Sequence, residues 1–130
     1  MKASALTALL LAASLASSCI VVAAGVGAAA TYGYISYQNN VSSRGFEARA
    51  ELTWKAVLHA MKAQDYPVQG DPMLGPVDGI IRSGDTEILV QHVAGGTSRV
   101  RVTIGTFESD QNERMAKLLL QEIARRLGES

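Results

Sequence analysis

The 130-residue sequence has little of what most site chemistry requires. Cys19 is its only cysteine, so an internal disulfide is impossible. His59 and His92 are its only histidines, so nitrogen and sulfur metal ligands are few and scattered along the chain. Three prolines, Pro67, Pro72 and Pro76, fall within one short stretch. Motifs of the Gly-x-Ser-x-Gly, phosphate-loop and Gly-x-Gly-x-x-Gly kinds are missing. Gly25-Val26-Gly27 lies in an apolar run with no dinucleotide-binding unit after it. Charge is missing too: after Lys2 the next charged residue is Arg44. Twelve basic and twelve acidic residues cancel, which leaves no electrostatic footprint for nucleic acid.

The uncharged front third carries the address. Residues 1–18 have the order of a secretory leader: Lys2, an apolar run of about a dozen residues, then small residues. That run is short for a membrane span, which needs ~20 residues. The stretch Ala16-Ser17-Ser18-Cys19 resembles the bacterial lipobox, although leucine is more usual where Ala16 stands. The resemblance implies that the Cys19 thiol receives a diacylglycerol and that the leader is cut before it, after which the new amino terminus is acylated. Several acyl chains hold a protein firmly to a bilayer where one holds marginally. The residue after the cysteine is Ile20 rather than aspartate, which by enterobacterial sorting implies the outer membrane, facing the periplasm. The competing reading makes Cys19 a small apolar residue in an uncleaved membrane helix.

Residues 19–37 form an Ala/Gly-rich apolar segment. As a helix, residues 20–37 would reach about 27 Å, with Gly25, Ala29 and Gly33 on one face as a candidate helix–helix contact. Tyr32, Tyr34 and Tyr37 would then lie at an interfacial belt. The alternative is a flexible tether or a helix on the membrane surface. Residues 38–45 read as a polar linker.

A small α+β domain is expected over residues 46–128. Phe46, Ala48, Ala50 and Leu52 alternate with charged residues, which suggests a strand. Thr53 resembles an N-cap, and Trp54, Val57, Leu58 and Met61 then form a helical stripe that ends before Pro67. Residues 69–76 are rich in glycine and proline and read as loop. Strands are predicted over 77–83, 86–93 and 98–107, separated by turns at Gly84-Asp85 and Ala94-Gly95-Gly96. A last helix begins near Asp110, whose spacing to Glu113 suggests a capping box. It presents Ala116, Leu119, Leu120, Ile123 and Leu127 on one side and stops at Gly128. The order β-α-β-β-β-α implies a two-layer sandwich, an antiparallel sheet with both helices on one face.

The chain resembles an uncharacterised family of small bacterial lipoproteins, whose domain is one of unknown function. The carriers are the lipobox with its Ala/Gly run, "TWKAVLHAMKAQDYPV", "DGIIR", and "VRVTIGTF" leading into the last helix. The family's last strand tends to an Arg-Val-Gly-x-Phe-Gly type of stretch. Gly105 and Phe107 fit it, whereas Thr103 and Glu108 depart from it. The resemblance implies a fold and an address but no activity.

No catalytic constellation emerges, so an enzyme is not expected, and no cofactor or metal is implied. Asp78 and Asp85 read as turn residues, His59 as solvated, His92 as a strand-end residue and Trp54 as core. Arg99 and Arg101 share the polar face of a strand, either as cross-strand partners of Glu87 or as an anion- or partner-binding patch. The expected function is a non-catalytic interaction or scaffold module, held at the membrane by Cys19. An envelope protein or a second copy would be its partner. The alternative is a module that binds lipid or a small apolar ligand in a cleft between helices and sheet. A cavity lined by Trp54, Met61 and Leu119 would favour the alternative, and a packed core beside an exposed apolar patch would favour the first.

Overall fold

Residues 33–129 are described by a computed structural model and fall within the second of two units into which the chain divides, Thr31–Ser130. β1 (Ser36–Gln38) and β2 (Val41–Phe46) form a hairpin. α1 (Ala50–Ala63) follows, then β3 (Asp78–Ser83), β4 (Thr86–Val93), β5 (Thr97–Ile104) and α2 (Asp110–Arg126). The strands make one antiparallel sheet in the order β1-β2-β5-β4-β3, and both helices bury their apolar stripes in one core with one face of it. The expected α+β sandwich and its element order are therefore present, with the short β1 added at one edge.

The meander forms where turn chemistry and period-two patterning agree. Ser83 pairs with Thr86 across Gly84-Asp85, and Gly84 takes φ +57° as the first central residue of a tight hairpin turn. β5 directs Val100, Val102 and Ile104 into the core and Arg99, Arg101 and Thr103 away from it. It stops at Ile104, short of residue 107, because Gly105 turns left-handed at φ +69° and sends the chain toward α2.

Between α1 and β3 the glycine- and proline-rich loop runs along the outer edge of β3. The Gln69 N–H donates to the Arg82 carbonyl at 2.9 Å, and the Gly75 N–H donates to the Asp78 carbonyl at 2.8 Å. An edge that could recruit another strand is thereby partly closed.

Several expectations need correction. Residues 38–45 are not a linker: Asn39 and Asn40, at φ +53° and +60°, make the β1–β2 turn, and β2 begins at Val41. The positions of β2 that face the core include Ser42 and Arg44, whose polarity hides the strand from pattern reading. The period-two run from Phe46 to Leu52 is not a strand. Phe46 ends β2, while Ala50, Thr53, Trp54 and Val57 are buried at helical spacing, and Leu52 is left half exposed. Thr53 is not a cap but lies inside α1, where its hydroxyl meets that of Ser98 at 2.7 Å, and the Ser98 hydroxyl donates to the Ala48 carbonyl at 2.8 Å. α2 is capped one residue earlier than expected, by Ser109, whose hydroxyl accepts from the Asn112 N–H at 3.1 Å. A helix cannot continue through residues 33–37, because Gly33 is left-handed at φ +69° and β1 starts at Ser36.

Asn40 ties the first hairpin to the far end of β5. Its side-chain amide donates to the carbonyls of Ile104 and Gly105, at 2.9 and 3.2 Å, and its side-chain carbonyl accepts from the Tyr37 hydroxyl. Its backbone N–H donates to the Glu108 carboxylate at 3.0 Å.

Candidate functional site

Of the residues singled out from sequence, Ala16, Ser17, Ser18, Cys19, Gly25 and Ala29 lie outside the described residues. Gly33 is described. It is exposed in a left-handed turn, so it does not continue a helix.

Exposed apolar side chains are spread over the domain, and two grooves lie beside α1. Its outward positions Glu51, Lys55, His59 and Lys62 recur at helical spacing and overlook the loop that follows the helix. A groove of about 490 Å³ opens between the first turns of α1 and Pro72–Pro76, with Trp54 in its wall. Trp54 is 8% exposed. It belongs to the core cluster, as expected, and reaches the surface at the same time. Its ring lies over Gly79 in β3, where a Cβ would stand 2.6 Å from the indole and 3.0 Å from the Leu74 backbone. The glycine of "DGIIR" is thus what admits the indole.

His92 fixes the groove's far wall. Its Nε2 lies 2.9 Å from the Gly75 carbonyl, and since a carbonyl only accepts, this nitrogen carries the proton and donates. The His92 backbone N–H donates to the Val77 carbonyl. The strand-end histidine therefore fastens a loop. Met73 and Val77 project from that loop at 81% and 69% exposure, an apolar patch that the spacing of the sequence does not reveal.

A second groove of about 540 Å³ lies one turn further along α1, between Leu58, His59 and Lys62 and the residues Asp65 to Val68. His59 is exposed on this rim, as expected of a solvated histidine. Tyr66 is half buried there, and burial, with the Asp85 charge as the smaller cause, pushes its phenol above its ordinary value.

Among the described residues no helix lies on the opposite face of the sheet. Arg99 and Arg101 stand there on β5, the middle strand, opposite Gly45 and Gln91, and Ser43 and Leu89, respectively. Glu87 is not their partner: it lies directly across from Arg82 on β3 and pairs with it at 3.3 Å. Asp85 sits in the β3–β4 turn as expected, and Asp78 opens β3.

Neither groove brings a nucleophile against a base, and among the described residues no three acidic, histidine or cysteine side chains converge as metal ligands. What the surfaces offer is apolar contact edged by charge on one layer and arginine on the other. Among the described residues no helix is long and apolar enough to cross a membrane. The sequence matches no model of a known protein family and no curated protein.

Proposed function

We propose that the chain is a bacterial envelope lipoprotein, anchored through acyl chains on Cys19, whose domain is a non-catalytic interaction or scaffold module. The observation that carries this reading is the contrast between interior and surface. Of the positions expected to line a ligand cleft between helices and sheet, Met61 and Leu119 are fully buried in the core with Leu120 and Ile123, and only Trp54 also meets a groove. Exposed apolar groups stand outside that core, Phe107 and Leu118 as well as Met73 and Val77, and of these Met73 lines, with the edge of Trp54, a groove whose loop wall His92 fastens. A surface of that kind suits docking more than enclosure of a small molecule. Ile20 favours the outer membrane, and an envelope protein or another copy of the chain would be the partner.

Metabolic labelling with a palmitate analogue tests the anchor. The wild type is expected to carry the label and to fractionate with membranes. Cys19→Ala is expected to lose the label and accumulate as the uncut precursor. An unlabelled wild type that still fractionates with membranes would replace the lipoprotein reading with an uncleaved signal anchor.

A further inference from the structure

We infer that the face of the sheet on which no described helix packs is a docking surface for anionic lipid headgroups, with Arg99 and Arg101 as its cationic centre. This assignment rests on the lipid-anchored reading for the nearness of a bilayer and on the sheet itself for its chemistry. β5 is the third of five strands, so two side chains on its outer face stand in the middle of the open surface. The strand alternation that sends Val100 and Val102 into the core forces Arg99 and Arg101 outward together. Neither arginine has an ion-pair partner among the described residues. Of the acids on this face, Glu87 lies opposite Thr103 and is engaged by Arg82, while Asp78 stands two strands from Arg99, across Gln91.

The surroundings are not those of an ordinary solvated sheet. Val41 and Leu89 are half buried and, with Glu87, Thr103 and Arg101, line a depression of about 200 Å³. Ile80 adds an exposed aliphatic group on the outer strand. Long cationic side chains rising from an aliphatic floor can lay their stems on apolar surface while the guanidinium heads meet phosphate. An acidic protein would satisfy the charges equally well. The bilayer is favoured because Cys19 is separated from the described chain by residues 20–32 only. Those residues span at most about 45 Å when extended, so the anchored domain is confined to the neighbourhood of headgroups.

The test uses the full-length protein in neutral detergent, titrated with dihexanoyl phosphatidylglycerol and read by backbone amide shifts. The expected result is a saturable shift of the Leu89, Arg101 and Thr103 amides, absent with dihexanoyl phosphatidylcholine and with inorganic phosphate. R99Q/R101Q is expected to weaken the apparent affinity by about tenfold or more, since each basic residue at an anionic surface contributes comparably. Glu87→Gln, which removes an acid of the same face and frees Arg82, is expected to strengthen it several-fold, a gain that a damaged fold could not produce. Equal shifts with phosphatidylcholine, equal shifts with inorganic phosphate, or titrations unchanged in R99Q/R101Q would each overturn the assignment. Palmitate labelling reads the anchor independently: an unlabelled protein that keeps the phosphatidylglycerol response loses only the anchor, and a labelled one without it loses only the headgroup surface.

Discussion

Gly79 and Trp54 show how much one missing Cβ can decide. The indole occupies space that any other residue at position 79 would fill, with 2.6 Å left between a Cβ and the ring. Gly79→Ala should therefore lower stability by about 1–3 kcal/mol, as overpacking does, despite the better strand propensity of alanine. Denaturant titration measures the loss. Trp54 is the only tryptophan, so a shift in its emission would report displacement of the ring directly. An unchanged midpoint would mean that the loop at Leu74 yields freely. Glu122 is the residue whose titration the fold alters most plainly. The Arg125 side chain, seconded by Arg126, bonds its carboxylate and holds its pKa down to about 2. A depressed carboxylate adds stability above its unfolded value and loses it as pH falls through the folded one. Wild type should thus exceed Glu122→Gln in thermal midpoint at pH 7, with the difference shrinking below about pH 4 and gone only at about pH 1. A difference of undiminished size between pH 7 and pH 2 would assign the effect to something other than this charge. The pair sites were readable only in part. Arg125 and Arg126 are legible as dipole partners of a helix end, but Thr53 is not legible as a buried hydroxyl, because the same side chain serves an N-cap equally well and only Ser98, 45 positions away, claims it.

The two helices end by the same device built from different residues. After α2, Gly128 at φ +73° lets the Glu129 N–H reach the Ala124 carbonyl at 2.8 Å and its own N–H reach that of Arg125. After α1, Asp65 takes the equivalent left-handed place at φ +60°, and the Tyr66 N–H reaches the Met61 carbonyl at 2.8 Å. Both are Schellman closures, and glycine adopts that conformation without the steric cost a Cβ brings. Asp65→Gly is accordingly expected to raise stability by about 0.5–1 kcal/mol in denaturant titrations. A decrease would show that the Asp65 side chain contributes more than its backbone costs. Gly128 could be found from sequence because glycine after a helical stripe is a strong stop signal. Asp65 could not, since aspartate is common in loops of every kind. The hairpin strands divide in the same way. β4 occupies the whole span its alternation predicts, whereas β2 is obscured because two of its inward positions are Ser42 and Arg44. Arg44 resolves its burial partly against its neighbour two residues on, its guanidinium lying 5.0 Å from the centre of the Phe46 ring.

Across the whole domain the two layers have opposite characters. The helical side closes a filled core and leaves an apolar groove where a loop rich in proline and glycine crosses the end of the sheet. On the other side, among the described residues, no helix packs, and Arg99 and Arg101 have no ion-pair partner because Glu87 pairs with Arg82. From sequence alone came the layer architecture, the presence of both helices though not the start of the first, the three-strand meander and the division between a front third with a single charge and a charged remainder. Each of these follows from local periodicity and turn chemistry, which act over a few residues. The tertiary structure alone decided that residues 38–45 pair beside β5, that Arg82 takes Glu87 from Arg99 and Arg101, and that Trp54 faces a groove as well as the core. Those outcomes depend on which distant strand lies alongside which, and pairing register is fixed by the packing of the whole sheet rather than by any segment read singly.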